Sequence, residues 1–135
     1  MRFLLDTNIV SNVVLRPQGT IAENIREVGE AQVCTSVIVA AELRYGAAMK
    51  GSQRLTAQLE AVLKALDVVP FEPPADAVCG LIRAQLEQAG QVIGANDLFI
   101  AAHAVAIGCV LVTDNEGEFA RVHGLRRENW LRERR

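Results

Sequence analysis

Four short apolar runs punctuate the chain: Met1-Arg2-Phe3-Leu4-Leu5, Val33-Cys34-Thr35, Asp67-Val68-Val69-Pro70-Phe71 and Cys109-Val110-Leu111-Val112-Thr113. Each is too short for a helix, and each is followed by residues whose apolar positions recur at helical spacing. Strands that alternate with helical segments predict an α/β fold with a mostly parallel sheet and helices on both faces. The first run ends abruptly in Asp6, a carboxylate at the carboxyl end of a buried parallel strand, which is where open α/β sheets bind ligands.

The segments between the runs read as follows. Residues 7–15 are helix-compatible and stop before the turn signal Arg16-Pro17-Gln18-Gly19. Residues 20–29 carry Ile21, Ala22, Ile25 and Val28 on one face, with Gly29 as the stop. Ser36 suits the cap of a helix that runs to Gly46 or a little beyond. Residues 53–66 are amphipathic, with Leu55, Leu59, Val62, Leu63 and Leu66. Pro73-Pro74 opens a helix ending at Gly90, with Asp76 in its first turn. Asn96-Asp97 begins a helix apolar almost all round, closed by Gly108, which belongs in a core or an interface. A short helix from Asn115 to about Val122 follows, and residues 125–130 are expected to add an edge strand.

At 135 residues the chain is expected to be one domain, 1–135, large enough for a real core. No apolar run approaches the roughly 20 residues that span a bilayer, and the apolar start is too short for a signal peptide. Cys34, Cys79 and Cys109 are scattered and flanked by apolar residues, so they read as buried thiols of a reducing, cytoplasmic compartment. The net charge of -2 does not announce a nucleic-acid partner, yet Arg126, Arg127, Arg132, Arg134 and Arg135 crowd the last ten positions. Such a tail is either simply solvated or a phosphate contact.

The acids are more telling. Aspartate occurs five times, and Asp6, Asp97 and Asp114 fall at strand ends or helix starts near one edge of the expected sheet. Glu42 shares a helix face with Ile38, Val39 and Tyr45, and Asp97 lies on the side of Ile100, Ala101 and Ala104. A carboxylate in such surroundings is costly unless it is paired or holds a cation. A helix N-terminus returns only about 0.3–1 kcal/mol, less than the several kcal/mol that an unpaired buried ion costs. A divalent cation shared by Asp6, Glu42 and Asp97 resolves the conflict, and it also equips the site to activate water against a phosphate. Taken singly, the acids have plainer readings: Asp6 bonding the next turn, Asp97 favouring its helix start, Glu42 paired with Arg44 or Arg83. His103 and His123 sit in no metal-ligand spacing and read as structural.

The ordered set Leu4-Leu5-Asp6-Thr7-Asn8, Glu42-Leu43-Arg44-Tyr45-Gly46, Gly94-Ala95-Asn96-Asp97 and Leu111-Val112-Thr113-Asp114-Asn115-Glu116-Gly117-Glu118-Phe119, followed by Gly124-Leu125 and Glu128-Asn129-Trp130, spans essentially the whole chain. It resembles the PIN-domain ribonucleases of the VapC toxin type. The resemblance implies a three-layer α/β/α sandwich, Mg²⁺- or Mn²⁺-dependent cleavage of RNA (tRNA in several members), a cognate VapB-like antitoxin and a homodimer. It also implies Asp6 and Asp97 as metal ligands, with Glu42 as a further acid and Thr7, Asn8 and Thr113 orienting ligands or waters. Many such domains carry an aspartate where Asn115 stands. Either Asn115 caps the last helix in a capping box with Glu118, or Asn115 or Glu118 replaces the missing acid.

Two other function classes compete. One is a PIN-like module that binds RNA or protein without cutting. The other is a phosphotransfer domain with Asp6 as nucleophile, which wants a lysine from a late strand, whereas the only lysines are Lys50 and Lys64. The apolar face of residues 53–66 is either core packing or a groove for an amphipathic antitoxin segment.

Overall fold

The computed structural model describes residues 1–132. Strands β1 (Phe3–Leu5), β2 (Val33–Ser36), β3 (Asp67–Val69), β4 (Val110–Val112) and β5 (Arg127–Glu128) form one parallel sheet in the order β3-β2-β1-β4-β5. The strand made first is therefore central. Phe3, Leu4 and Leu5 pair with Val33, Cys34 and Thr35 on one side and with Val110, Leu111 and Val112 on the other. Leu4, Leu5, Cys34, Leu111 and Val112 are completely buried, as a strand covered on both faces requires.

The connections hold α1 (Thr7–Leu15), α2 (Thr20–Val28), α3 (Val37–Lys50), α4 (Gln53–Ala65), α5 (Ala75–Gln88), α6 (Ala95–Ala106) and α7 (Glu116–Phe119), with a single 3₁₀ turn at Glu30–Gln32. Right-handed crossovers assign the layers. From β1 outward to β2 and β3 they put α1 to α4 on one face. The return from β3 across to β4, and on to β5, puts α5 to α7 on the other. Accordingly α1, α3 and α4 pack together, and α5 packs on α6. This is the expected three-layer α/β/α sandwich. The direction of winding reverses between β1 and β4, which opens a crevice at their carboxyl ends.

Element boundaries shift where a local signal competes with a stronger one. Strand β3 stops at Val69 rather than Phe71, because Pro70 has no N–H for the ladder. Helix α3 runs through Gly46 to Lys50 and ends at Gly51, whose φ of +65° supplies the left-handed turn that a helix stop needs. Helix α7 is four residues long, shorter than expected, and the edge strand is reduced to Arg127–Glu128.

Trp130 and Phe119 are the largest fully buried side chains, and Trp130 packs on Phe3 with ring centroids 5.2 Å apart. Cys34 and Cys109 are buried, whereas Cys79 is only half-buried, and all three are free thiols. Arg134 and Arg135 of the basic tail lie outside the described residues. No described helix is long and apolar enough to cross a membrane.

Candidate active site

Asp6 follows β1 and caps α1: its Oδ1 accepts the Thr7 N–H at 2.8 Å. Its Oδ2 accepts the Thr113 hydroxyl at 2.6 Å, from the end of the neighbouring strand β4. The carboxyl is nearly inaccessible, and burial is the main reason that its pKa rises above the ordinary carboxylate range. The two hydrogen bonds oppose that rise, and the charges of Glu42 and Glu118 add to it. With both oxygens engaged, Asp6 is poorly disposed as a phosphotransfer nucleophile.

Glu42 reaches the same place from α3. Its Oε1 accepts the Thr7 hydroxyl at 2.8 Å, so Thr7 serves Asp6 through its backbone and Glu42 through its side chain. Arg44 and Arg83, the alternative partners, bond Glu60 and Glu87 instead. The surroundings of Glu42 are less apolar than its sequence neighbours suggested: Val39 is buried, but Tyr45 stands in solvent.

Asp97 lies in the first turn of α6, above the fully buried Ile100, Ala101 and Ala104. Its pKa is pushed up to about 8, first by burial, then by its contact with Glu118, and further by the charges of Asp6 and Glu42. Glu118, on α7, moves the other way: Asp97, the Gly94 N–H and the Asn115 amide hold it below the ordinary range. The pair thus holds one proton more tightly than two separate carboxyls would.

Asn115 connects these last two acids. Its Nδ2 donates to Glu118 Oε2 at 2.7 Å and, more weakly, to Asp97 Oδ2 at 3.4 Å. Its side chain makes no capping bond to α7, so the capping-box reading does not hold. The N-terminal approach to α7 is fastened instead by the Asn115 N–H donating to Thr113 Oγ1 at 3.0 Å. Asp114 faces elsewhere: its Oδ1 accepts from Asn129 Nδ2 at 2.9 Å. Asn8 is exposed, and its Oδ1 receives only a long 3.5 Å contact from the Asp114 N–H.

Asp6, Glu42, Asp97, Asn115, Thr7, Thr113 and Glu118 therefore occupy one crevice, Asn8 stands at its rim, and Asp114 is turned toward Asn129. Sequence reasoning gave no role to Gly94, whose N–H donates to Glu118 Oε1 at 2.9 Å. A Cβ there would come within 3.9 Å of that oxygen and 4.0 Å of Asp97 Oδ2, ordinary contact distances. The Gly94-Ala95-Asn96-Asp97 stretch was the available signal.

Among the described residues no three His, Cys, Asp or Glu side chains already form a coordination set. Hydroxyl and amide donors hold the acids, and the neighbouring carboxylates add to the raised proton affinity of Asp6 and Asp97. An all-oxygen donor set with uncompensated negative charge fits a hard divalent cation.

Comparison with known proteins gives a consistent result. The PIN domain family matches residues 3–125. The chain is similar to "Ribonuclease VapC2" of Haemophilus influenzae, 39% identical over 132 residues that cover 97% of this chain and 99% of that relative. It is similar to "tRNA(fMet)-specific endonuclease VapC" of Shigella flexneri, 34% identical over 131 residues covering 96% and 98%. Among solved structures, VapBC2 from Rickettsia felis bound to a promoter DNA fragment superposes with a TM-score of 0.86 at 35% identity, covering 96% of this chain and 99% of that one.

Proposed function

Because the chain belongs to the PIN-domain family and is a ribonuclease toxin of the VapC type, we propose that Asp6, Glu42, Asp97 and Glu118 form its catalytic centre and bind Mg²⁺, or Mn²⁺ in its place. The observation that carries this reading is that shared donors join the four acids in pairs, Thr7 bonding Asp6 and Glu42, and Asn115 bonding Asp97 and Glu118. The acids come from four segments of the chain, and Asp6 and Asp97 each feel the charge of Glu42 and of Glu118. Nuclease domains of this family depend on divalent metal in general; the choice of Mg²⁺ rests on the hard, all-oxygen donors.

In this reading Asp6 and Asp97 are the principal ligands. Glu118 takes the place of the acid that the family resemblance implies at the position of Asn115, and Asn115 orients it. A divalent ion held there supplies activation of water and neutralises charge on the scissile phosphate. The chain's own groups do the positioning. Thr113 and Thr7 lock the Asp6 carboxylate, and Thr7 also aims Glu42. The Gly94 N–H and the Asn115 amide fix Glu118 beside Asp97. With a cation bound, Asp97 would favour its ionised form, since the neighbouring charges that raise its pKa would be compensated.

RNA is the substrate proposed, and the tRNA(fMet)-specific name of the Shigella flexneri relative makes tRNA the first to test. A VapB-type antitoxin is the proposed partner, since the similar structures include VapBC assemblies. An apolar groove of about 150 Å³ between α1, α3 and α4, lined by Val14, Leu43, Ala47, Leu55 and Leu59, has Glu42 at its margin. An amphipathic antitoxin segment laid there would bring a basic side chain to the acids; alanine scanning of the partner's arginines with a ribonuclease readout tests it. A single domain over 1–135, a homodimer and a cytoplasmic location are parts of this proposal.

The deciding experiment is cleavage of total RNA by purified protein with Mg²⁺. Asp6→Asn and Asp97→Asn are expected to abolish both cleavage and growth arrest. Undiminished toxicity in both variants would remove the mechanism.

A further inference from the structure

His103 is the buried imidazole that the proposed chemistry leaves unused. It sits on the inner side of α6, 1% exposed, with the Phe71 ring edge-on at 5.3 Å. Its Nδ1 lies 2.8 Å from Ser36 Oγ, and Ser36 is fully buried as well. Its Nε2 has no partner meeting hydrogen-bond geometry; the Pro70 carbonyl nonetheless acts electrostatically on the ring.

Ser36 has a second engagement. It is the N-cap of α3, and its Oγ accepts the Ile38 N–H at 3.0 Å. One hydroxyl therefore joins the first turn of α3 to the last turn of α6. Six residues on from Ser36, α3 carries Glu42; six residues before His103, α6 carries Asp97. The two helices belong to opposite layers and touch, yet among the described residues no other hydrogen bond joins their side chains. Apolar packing alone tolerates sliding between helices, whereas a buried hydrogen bond of fixed length sets their relative depth.

We propose that His103 is a positioning residue that sets the axial register of α6 against α3, and thereby the spacing of Asp97 and Glu42, through Ser36. The proposal rests on the metal-centre reading above. It places no bond between His103 and the cation; the imidazole acts only through two rigid helices.

The test uses Mg²⁺ alone as probe, read by calorimetric affinity and by the rise in Tm that it causes, with RNA cleavage as a second readout. His103→Asn keeps an amide at the position of Nδ1 and so keeps a group for Ser36. His103→Gln fills more volume but reaches past it. Ser36→Ala removes the link together with a helix cap; Ser52→Ala, which removes the cap of α4, controls for cap loss.

The expected result is a fall in Mg²⁺ affinity of about tenfold in His103→Gln and Ser36→Ala, the low end for residues that orient metal ligands, with His103→Asn and Ser52→Ala close to wild type. The same ranking is expected in the Mg²⁺ concentration for half-maximal cleavage, with the KM for RNA unchanged. Equal Mg²⁺ affinity in Gln and Asn variants would overturn the proposal. So would a loss that follows the thermal stability of the variants rather than the presence of the Nδ1-like amide. If wild type itself neither binds Mg²⁺ nor cleaves RNA, the metal-centre reading fails first, and the helix-register proposal fails with it.

Discussion

Thr113 donates its hydroxyl to Asp6 Oδ2 at 2.6 Å, while its Oγ1 accepts the Asn115 N–H at 3.0 Å. One side chain thus anchors the most buried acid and the turn that leads to Glu118. Thr113→Val keeps the shape and removes both bonds. The expected loss is about 1–3 kcal/mol of stability, from a buried acceptor left with one donor fewer, together with a 10–100-fold loss of metal-dependent activity. Thr113→Ser should restore most of both. Urea denaturation and cleavage rates at fixed Mg²⁺ check this.

Asp97 gives a pH signature in metal-free protein. Its folded pKa, about 8, lies above the ordinary value of 3.8. The folded state therefore binds the proton more tightly than the unfolded state, and this stabilisation is complete below about pH 4 and lost as pH rises through 8. In EDTA at pH 8.5, Asp97→Asn is expected to be more stable than wild type by about 1 kcal/mol, a value reduced for the partial exposure of the carboxyl. Thermal melts at pH 5 and pH 8.5 read the difference, which should be present only at the higher pH.

The same linkage predicts a proton count for metal binding. With the pair's proton held up to about pH 8, Mg²⁺ entry at pH 7 should release close to one proton, and the release should fade above about pH 9. Calorimetry in buffers of different ionisation enthalpy measures it. A pH-independent binding enthalpy would contradict the shared-proton arrangement of Asp97 and Glu118.

His103 titrates with the opposite sign. Burial lowers its pKa, against weaker pulls from the Pro70 carbonyl and Glu72. The neutral ring is favoured in the folded state, so its contribution is present above the ordinary value of 6.5 and is lost as pH falls toward the depressed one. Wild type should lose more stability between pH 7.5 and pH 5.5 than His103→Asn does, by Tm at matched ionic strength.

Phe119 ties the last acid to the core. It is completely buried at the end of α7, next to Glu118. Phe119→Ala is expected to cost about 3–5 kcal/mol and to weaken Mg²⁺ binding, because a four-residue helix has little else to hold it. Phe119→Leu should lose far less of both.

Much of this architecture was legible in the chain. Apolar runs bounded by turns marked β1, β2 and β4, since strands buried on both faces leave no polar alternation to confuse the reading. The acids betrayed themselves by their cost: Asp97 above Ile100 and Ala101 needed an explanation that solvent could not give. What stayed hidden depended on direction. Asn115 before Glu118 reads as a cap in one dimension, and only the fold shows its amide aimed at two carboxylates. Gly46 and Gly51 are both plausible stops, and the backbone angle that separates them is not written in composition. The link from His103 to Ser36 spans 67 positions and leaves no periodic trace.

The central place of β1 also governs when the toxin can first act. Its residues are made before those of the other four strands, but one flank stays open until residues 110–112 follow, and Asp6 gains its Thr113 partner from 107 positions downstream. Loop closure over such a span comes late and slowly. A nascent chain therefore lacks the proposed cutting centre until residues 113–118 have emerged and folded back onto β1, and the cell that makes this enzyme meets it armed only after that.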